Sequence, residues 1–497
     1  MRITNKMMTN NMLGNINKNK FTMTTLEQQY STGKKIQKPS DDPIITVRAM
    51  KLRTNLSELE QYYEKNIPDA KSWMDVTESA LSTVNDILSQ VNTYCVQGSS
   101  DSLTAKDRKA IVENLQEMKD QIYQEGNTNF AGRYVFTGYK TDTPLVFNDS
   151  TENLNYKITE EFSATDLQIQ SSVVGSYGLS DFEDTGVTFD DAPKLVETHR
   201  IQLSYDNLQT TAPENIQYTK SVSGGLPQEQ TPFTNITTVS VLKDNAYTPG
   251  DDEINFIPET GELILGKNAY EEFRTADNMK ITYGKSTFAS GDLKPEHYFD
   301  CVVTDTLKPE QDPITYTKSN QEIQYEINYN QKLTINTEGS EAITHQMGRD
   351  IDEILKFVNE VVTTETKVEE VNKRLKDANL TETEKERYEK MLEQLDTELE
   401  LKKDIMQNAF SRGMASSSEQ QDQVNMAVAD LGSRYVRLEL TESRLSGQKV
   451  DFEDMLSTNE DADLVETYIK FSAAETIYNA SLSAASKVVQ NTLLDFL

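Results

Sequence analysis

The stretch IITVRAMKLRTNLSELEQYYEKNIPDAKSWMDVTESALSTVNDILSQVNTYCVQ (residues 44–97) carries a long helical repeat. Alternate steps of four and three from Leu52 to Tyr94 visit 13 positions, of which 11 are apolar. This repeat continues for about six heptads, whereas three to four already favour a coiled coil. Pro68 lies inside it, so we expect a kink or local break there. The stretch is therefore predicted to be a long helix with one buried seam.

Two seams of the same spacing lie near the other end of the chain. One runs from Val424 to Leu445, and the other runs from Leu464 to Phe496, where eight of ten positions are apolar. A looser apolar stripe occupies the first 36 residues. Because a single amphipathic helix is marginal in water, the C-terminal seam needs a partner. We predict that the N- and C-terminal segments pair as long antiparallel coiled-coil helices.

The side chains that we predict to form these seams fall into two groups. The core seam consists of Leu52, Leu56, Leu59, Trp73, Val84, Ile87, Val91, Leu431, Tyr435 and Leu438. The assembly interface on the terminal helices consists of Ile3, Met7, Leu26, Tyr30, Leu464, Tyr468, Phe471, Tyr478, Leu482, Val489 and Phe496. Burial of one Phe or Leu contributes ~1.5–3 kcal/mol, so these residues are expected to hold the helices together.

The middle of the chain has a different composition. Nine of the 13 prolines and 11 of the 21 glycines lie in residues 148–340, whereas residues 341–497 contain no proline. Proline and glycine disfavour helix interiors, and EIQYEINYNQKLTINT (322–337) alternates as a strand does. The predicted fold class is therefore mainly α, with an inserted β-rich outer domain. We expect this insert to fold by itself.

The expected domain boundaries follow from this layout. The domains are a terminal helical domain (1–40 and 456–497), a helical-bundle core (41–147 and 341–455) with a β-hairpin near 128–147, and the outer domain (148–340). Residues from about 363 to 411 carry Glu/Lys pairs four apart and a capping box that begins at Thr381. They predict an extra helical hairpin that turns near Asn379. We interpret this hairpin as a solvated stalk without an identified partner.

Charge and residue usage exclude several classes of protein. The chain carries 81 Asp and Glu against 49 Lys and Arg, and this net charge of −32 argues against nucleic-acid binding. No run approaches 18 apolar residues, so no transmembrane helix is expected. The cysteines Cys95 and Cys301 stand alone, and His199, His297 and His345 share no motif. We expect no catalytic residues, no cofactor and no metal site.

The two ends of the chain carry opposite charge. Residues 1–40 hold seven Lys and Arg against one Glu, whereas residues 456–497 hold six acidic residues against two lysines. An exposed ion pair contributes only ~0.2–1 kcal/mol, so charge is expected to tune which helices pair while the apolar seam holds them. Because each amphipathic segment is unstable alone, we expect both to be largely disordered in the monomer.

Both ends of the chain resemble the bacterial flagellin superfamily. The opening MRITNKMM…NKFTMTTLEQQYSTGKKIQKPSDDPIITVRAMKLR and the closing helices from ADLGSRYVRLELTESRLSGQ onward carry this resemblance. In that family a first helix is followed by a turn, an Asp-Asp pair and a long second helix. Three segments resemble the hook–filament junction proteins rather than flagellin: KPSDDP (38–43), GRYVFTG (132–138) and LLDFL (493–497).

This resemblance implies a structural subunit and not an enzyme. The subunit would be secreted unfolded, located in the bacterial flagellum at the junction between hook and filament, and polymerised through its terminal helices. The implied partners are hook-associated protein 1, flagellin, a flagellar export chaperone, the type III export apparatus and further copies of the chain in a ring. Neither nucleic acid nor membrane insertion is expected. A flagellin filament subunit and a coiled-coil-stalked extracellular adhesin remain as alternatives.

Overall fold

The computed structural model describes residues 5–100, 103–182, 187–221, 227–243, 245–308, 310–377 and 380–494. More than half of the chain is helical, with helices toward both ends and a β-rich middle, as the composition predicted. Two compact units can be distinguished. The terminal unit comprises Met1–Asp69, Tyr325–Leu333 and Val436–Leu497, and the central unit comprises Ala70–Gln324 and Thr334–Tyr435.

The described residues form helices and strands with the following bounds. The helices are α1 (Asn5–Thr32), α2 (Pro43–Gln61), α3 (Ile67–Gly98), α4 (Ala105–Glu125), α5 (Lys267–Phe273), α6 (Gly339–Ala342), α7 (His345–Arg374), α8 (Glu382–Glu460) and α9 (Leu464–Leu494). The strands are β1 (Asn129–Phe130), β2 (Arg133–Tyr134), β3 (Leu154–Phe162), β4 (Gln168–Val174), β5 (Lys194–Gln202), β6 (Ile216–Ser221), β7 (Pro227–Glu229), β8 (Ile236–Thr238), β9 (Ile254–Ile257), β10 (Glu262–Leu265), β11 (Asn278–Lys285), β12 (Asp300–Asp305), β13 (Ile314–Tyr316), β14 (Gln324–Asn328) and β15 (Gln331–Thr334).

The long helical repeat is interrupted beside its proline. One π-helical turn, Tyr62–Asn66, separates α2 from α3, and the N–H of Ile67 donates to the carbonyl of Tyr62. Pro68 has no N–H to donate to the preceding turn, so the regular ladder of hydrogen bonds cannot pass through it unchanged. A π turn accommodates that defect while the chain stays helical. The predicted local break at Pro68 is confirmed.

The terminal helices contact each other within one chain. Asn19 Nδ2 of α1 donates to Ser481 Oγ of α9 at 2.9 Å. The rings of Tyr30 and Tyr468 lie 5.6 Å apart between centroids. Residue numbers rise along α1 as they fall along α9, so the two helices run in opposite directions. The expectation that both segments are disordered in the monomer is wrong for the described residues, because each finds its partner in the other.

The β-rich middle of the central unit contains two larger sheets. A five-stranded sheet has the order β4-β5-β10-β9-β8, and a six-stranded sheet has the order β13-β12-β3-β11-β6-β7. Within them β8 and β9 are parallel, and the other paired strands with a recorded register are antiparallel. Inward side chains such as Ile158 of β3 and Phe256 of β9 belong to one apolar cluster, which joins the two sheets.

A buried ionic network connects this β-rich region to α7. Arg200 of β5 contacts Glu262 of β10, and its Nη2 lies 2.8 Å from a carboxylate oxygen of Glu353 in α7. Lys356, one turn further along α7, lies 3.5 Å from Glu262. Removal of residues 150–338 would leave Glu353 and Lys356 without these partners. The expectation that the insert folds by itself stays a prediction, and these shared ion pairs argue against it.

The extra helical hairpin is formed by the end of α7 and the start of α8. The predicted turn at Asn379 lies outside the described residues. The predicted capping box is present: a carboxylate oxygen of Glu384 accepts from the backbone N–H of Thr381 at 2.9 Å, and the Glu384 N–H donates to Thr381 Oγ1 at 3.3 Å. Reciprocal hydrogen bonds of this kind satisfy backbone donors at a helix start.

The hairpin does not stand alone in solvent. Phe189, from the segment before β5, is buried in a cluster with Val371 of α7 and Tyr388 of α8. Arg387 donates to the carbonyl of Val187 at 3.1 Å and lies over the Phe189 ring. The interpretation of the hairpin as a solvated stalk is therefore wrong, and its partner is a loop of the β-rich region.

A buried carboxyl group in β3 predicts a specific pH dependence. Glu160 accepts hydrogen bonds from the Tyr283 hydroxyl and the Ser204 N–H, and burial raises its pKa to about 7. A carboxyl group with a raised pKa favours folding most below its unfolded pKa, and this contribution is lost as pH rises to the folded pKa. We expect Glu160 to lower the free energy of unfolding by about 3 kcal/mol between pH 4.5 and 7.

Urea denaturation at several pH values tests this expectation. Glu160→Gln removes the titration, so the profile of stability against pH should flatten between 4.5 and 7. Glu161→Gln is the matched control, because Glu161 is an exposed neighbour whose pKa is lowered by its hydrogen bond from Lys280. Identical slopes for the parent chain and Glu160→Gln would contradict the assignment.

Candidate assembly surface

Exposed apolar side chains are concentrated in the terminal unit. Of the 27 large apolar side chains exposed among the described residues, 19 lie in this unit, which holds fewer than a third of the residues. Examples are Phe21 of α1 and Ile469 of α9. Monomeric soluble proteins rarely expose large contiguous apolar areas, and such areas mark contacts with other macromolecules. The terminal unit is therefore the candidate assembly surface.

The contact between α1 and α9 uses one stripe on each helix. Both stripes follow alternate steps of four and three, and their members are buried or half-buried except for Tyr30, which contacts Tyr468. The stripe of α1 is Met12, Ile16, Asn19, Met23, Leu26 and Tyr30, and that of α9 is Thr467, Phe471, Ala474, Tyr478, Ser481 and Ala485. Small residues on α9 permit a close approach of the two helices, since interaxial distance depends on the side chains at the contact.

This pairing divides the residues predicted for the assembly interface. Three are half-buried: Leu26, Phe471 and Tyr478. Five others have 42–54% of their surface exposed: Met7, Tyr30, Leu464, Tyr468 and Leu482. Ile3 and Phe496 lie outside the described residues, and so does the side chain of Val489. The intramolecular stripe of α9 shares Phe471 and Tyr478 with the predicted seam but passes through Thr467 and Ser481 rather than Tyr468 and Leu482, so those two larger side chains stay exposed.

Three small residues of the α9 stripe, Thr467, Ala474 and Ser481, were missed by reasoning from the sequence. A search for apolar positions selected Tyr468 and Leu482, whereas Thr467 and Ser481 contribute little hydrophobicity. Their spacing of four and three is nevertheless visible in the sequence. A search for small residues in that spacing would have found them.

The core-seam residues lie along α2, α3 and α8. Seven are buried: Leu59, Trp73, Val84, Ile87, Val91, Leu431 and Leu438. Leu52, Leu56 and Tyr435 are half-buried. Trp73 also lies under the guanidinium of Arg133, 5.1 Å from the ring centroid. This arginine belongs to the GRYVFTG segment, so that segment packs against the α3 seam.

The KPSDDP segment shapes the turn between α1 and α2. A carboxylate oxygen of Asp41 accepts from the N–H groups of Gln37 and Lys38 at 3.0 and 2.8 Å. Asp42 is the N-cap of α2, and its Oδ1 accepts from the N–H of Ile44 at 2.9 Å. Pro43 follows in the first turn, where no intrahelical N–H bond is lost. Asp41, Asp42 and Pro43 therefore each have a local structural reason.

Charged side chains connect this turn to the end of α8. Lys34 Nζ lies 2.5 Å from Asp461 and 3.4 Å from Glu460, and Arg53 lies 2.7 Å from Glu460. The hydrogen bond between Lys34 and Asp461 raises the pKa of Lys34 and lowers that of Asp461. The stabilisation is therefore lost as pH falls below the ordinary pKa of an aspartate or rises above that of a lysine. Opposite charges meet at this joint between the two ends.

A charge reversal measures how far this joint guides pairing. Lys34→Glu with Lys35→Glu would place two carboxylates beside Glu460 and Asp461, where Lys35 Nζ now donates to the carbonyl of Thr458 at 2.5 Å. We expect assembly of the chain to slow several-fold at low salt. In high salt the difference in assembly rate between variant and parent should narrow, because exposed charges are screened. Lys18→Glu with Lys20→Glu, on the exposed part of α1, is the control. Unchanged incorporation rates at low salt would contradict the electrostatic contribution.

The described residues lack several features of other protein classes. Among them no three His, Cys, Asp or Glu side chains are placed to hold a metal ion. None of the helices built from them combines the length and apolarity that a membrane span requires. Burial raises the pKa of the Cys95 and Cys301 thiols to about 12, so neither forms much thiolate at neutral pH.

Comparisons with known proteins agree with this picture. Residues 3–141 match the bacterial flagellin N-terminal helical region. Flagellar hook-associated protein 3 of Salmonella typhimurium is 32% identical over 143 residues, which cover 29% of this chain and 45% of that protein. A flagellin of Clostridium tyrobutyricum is 25% identical over 225 residues, which cover 41% of this chain and 58% of that protein. The chain thus spans less than half the length of the first relative.

A solved structure is also similar. The flagellar junction protein of Legionella pneumophila is 13% identical, and the match covers 84% of this chain and 100% of that one with a TM-score of 0.29, too low to establish a shared fold. The sequence matches are more specific. Residues 3–141 match the bacterial flagellin N-terminal helical region, and the predicted resemblance of the chain to flagellar hook-associated protein 3 is confirmed.

Proposed function

We propose that this chain is a structural subunit of the bacterial flagellum that forms the junction between hook and filament. The observation that carries the proposal is the terminal unit, whose paired helices α1 and α9 leave large apolar side chains exposed. A stalk for an adhesin would not need such a surface. The relatives named hook-associated protein 3 and flagellin support a flagellar role.

Polymerisation follows from the two faces of the terminal helices. Residues 1–40 and 456–497 form an antiparallel coiled coil through the narrow stripe that the single chain already buries. Neighbouring copies then cover the outer apolar side chains, each worth ~1.5–3 kcal/mol when fully buried. The helical-bundle core (41–147 and 341–455) carries further contacts, and the outer domain (148–340) faces solvent. We expect no enzymatic activity.

The partners follow from this position. The chain leaves the cell unfolded through the type III export apparatus with the help of an export chaperone. It assembles as a ring on hook-associated protein 1, and flagellin polymerises on that ring. Absence of disulfides is compatible with threading, since both cysteines are free in the structure.

Electron microscopy of labelled flagella tests this proposal. A strain expressing the chain with an epitope in the exposed region near Leu242 should show gold label in a short zone where the hook ends. Deletion of the gene should yield hooks without filaments and flagellin in the medium. Label along the whole filament would instead identify a flagellin, and normal filaments in the deletion strain would refute both flagellar roles.

A further inference from the structure

A tyrosine projects from a rigid hairpin in the terminal unit. Strands β14 and β15 pair, and Asn330 in their turn has a left-handed φ of 54°. Between them Tyr329 is 81% exposed. An exposed aromatic ring on an anchored turn has the properties of an interface anchor, since little conformational entropy is lost when it is buried.

Three contacts hold this hairpin on its neighbours. Asn66 Nδ2, in the π turn, donates to the carbonyl of Glu326 at 2.8 Å. The Tyr325 hydroxyl donates to Asp69. At the other strand, Arg444 of α8 donates to Gln331 at 3.2 Å. The turn that carries Tyr329 is therefore held beside α8 at the position of Arg444.

A cavity elsewhere in the same unit matches a tyrosine ring. It has a volume of about 160 Å³ and lies between the KPSDDP turn, α2 and the end of α8. A cavity of about 150 Å³ accommodates one benzene ring. Its wall includes Pro39, Met50 and Arg53. A thioether and a guanidinium both interact favourably with an aromatic ring.

The cavity also contains an acceptor for a phenol hydroxyl. Glu460 is 3% exposed and lines the cavity. Its Oε2 accepts from Arg53, but its Oε1 is buried and finds no hydrogen-bond partner among the residues that the structure describes. A buried carboxylate oxygen without a donor is costly, and a tyrosine hydroxyl that reached Oε1 as the ring entered the cavity would satisfy it.

Tyr329 cannot reach this cavity in its own chain. The hairpin is anchored at Arg444 and the cavity at Glu460, and these residues are about 24 Å apart along α8 at ~1.5 Å per residue. That separation exceeds the reach of one side chain. A Tyr329 ring could therefore enter this cavity only from another copy of the chain.

We propose that Tyr329 of one copy inserts into the cavity between Pro39, Met50 and Glu460 of a second copy. The proposal rests on the proposed function and assigns one specific contact between assembled subunits. Because the two surfaces differ, the contact is heterologous and connects each copy to two others. Such contacts close into rings or continue as helices, whereas a two-fold contact would stop at a dimer.

Disulfide trapping in isolated flagella tests the contact. Tyr329→Cys combined with Met50→Cys places one thiol at the tip and one in the cavity of every chain. The native thiols of Cys95 and Cys301 should not form disulfides in this experiment, because both side chains are buried. We expect copper phenanthroline to produce a ladder of covalent multimers beyond the dimer, at least tenfold above either single variant.

The matched control is Tyr329→Cys with Ile44→Cys, since Ile44 is exposed on the same helix but does not line the cavity. Assembled junctions that give no ladder, or an equal ladder in the control, overturn this contact and leave the proposed function intact. Absence of every variant and of the parent from isolated flagella refutes the proposed function instead.

Two further variants distinguish the contribution of the Tyr329 ring from that of its hydroxyl group. Tyr329→Ser removes both and should lower incorporation at least tenfold, whereas Tyr329→Phe retains the ring and should lower it several-fold. Normal incorporation of Tyr329→Ser would also overturn the contact. The monomer should be unaffected by either change, because Tyr329 is mostly exposed; a common loss of thermal stability in the two variants would refute a role in assembly.

Discussion

Replacement of Arg200 by methionine is expected to destabilise the central unit by about 3–5 kcal/mol. Arg200 is buried, and its guanidinium contacts Glu262 and Glu353. Burial alone would raise the pKa of Glu262, but the charges of Lys356 and Arg200 hold it well below its ordinary value. Methionine conserves much of the volume and removes the charge, so two buried carboxylates lose a counterion.

Urea denaturation with hydrogen exchange on α7 and β10 would measure this effect. The control is Arg274→Met, because Arg274 is 55% exposed and pairs with the equally exposed Glu271. Exposed pairs contribute ~0–1 kcal/mol, so this control should change stability little. Equal effects of the two substitutions would show that the buried network is solvated and does not join the β-rich region to α7.

The sequence was sufficient where a local pattern determines the structure. The break beside Pro68 follows from one missing N–H, and the capping box at Thr381 follows from residues three apart. Burial of Trp73 and Leu431 follows from the repeat of alternate fours and threes. In each case the pattern lies within one helix or one turn, so the spacing of its residues records the local geometry.

Contacts between distant segments left no such record. Arg200 and Glu353 are 153 positions apart, and no periodicity connects a strand residue to a helix residue. Phe189 and the helical hairpin present the same difficulty, which is why the hairpin was interpreted as a stalk. The cavity that contains Glu460 requires three segments to meet. Only the folded chain brings them together.

The register of α9 shows a different limit of sequence reasoning. An apolar pattern identifies side chains that require burial, but it does not say whether the covering surface belongs to the same chain. Here Thr467 and Ser481 pack within the chain, while Tyr468 and Leu482 remain exposed. Part of the apolar surface of α9 is therefore covered by the N-terminal helix of the same chain, and the rest stays exposed.

Substitution of two outer residues of α9 should abolish assembly without unfolding the chain. Val465 and Ile469 lie one helical turn apart and are 71% and 62% exposed. Replacement of both by serine removes little from the packing of the monomer, so its stability should change by only ~0.5 kcal/mol. In the polymer, each subunit would lose the burial of two apolar side chains, about 3–6 kcal/mol in total.

That loss corresponds to a weakening of each contact by a factor of ~100 or more. We therefore expect non-motile cells with hooks that lack filaments and flagellin in the medium. Ala480→Ser with Ala484→Ser is the control, since both alanines are exposed on α9 and the double change lowers helix propensity more than the Val465/Ile469 change does, without removing a large apolar side chain. If the control assembles and the Val465/Ile469 variant fails while melting like the parent, the defect lies in contacts between copies. Normal filaments in cells that express the variant would show that the outer face of α9 stays in solvent. The contacts between copies would then have to lie in another part of the terminal unit.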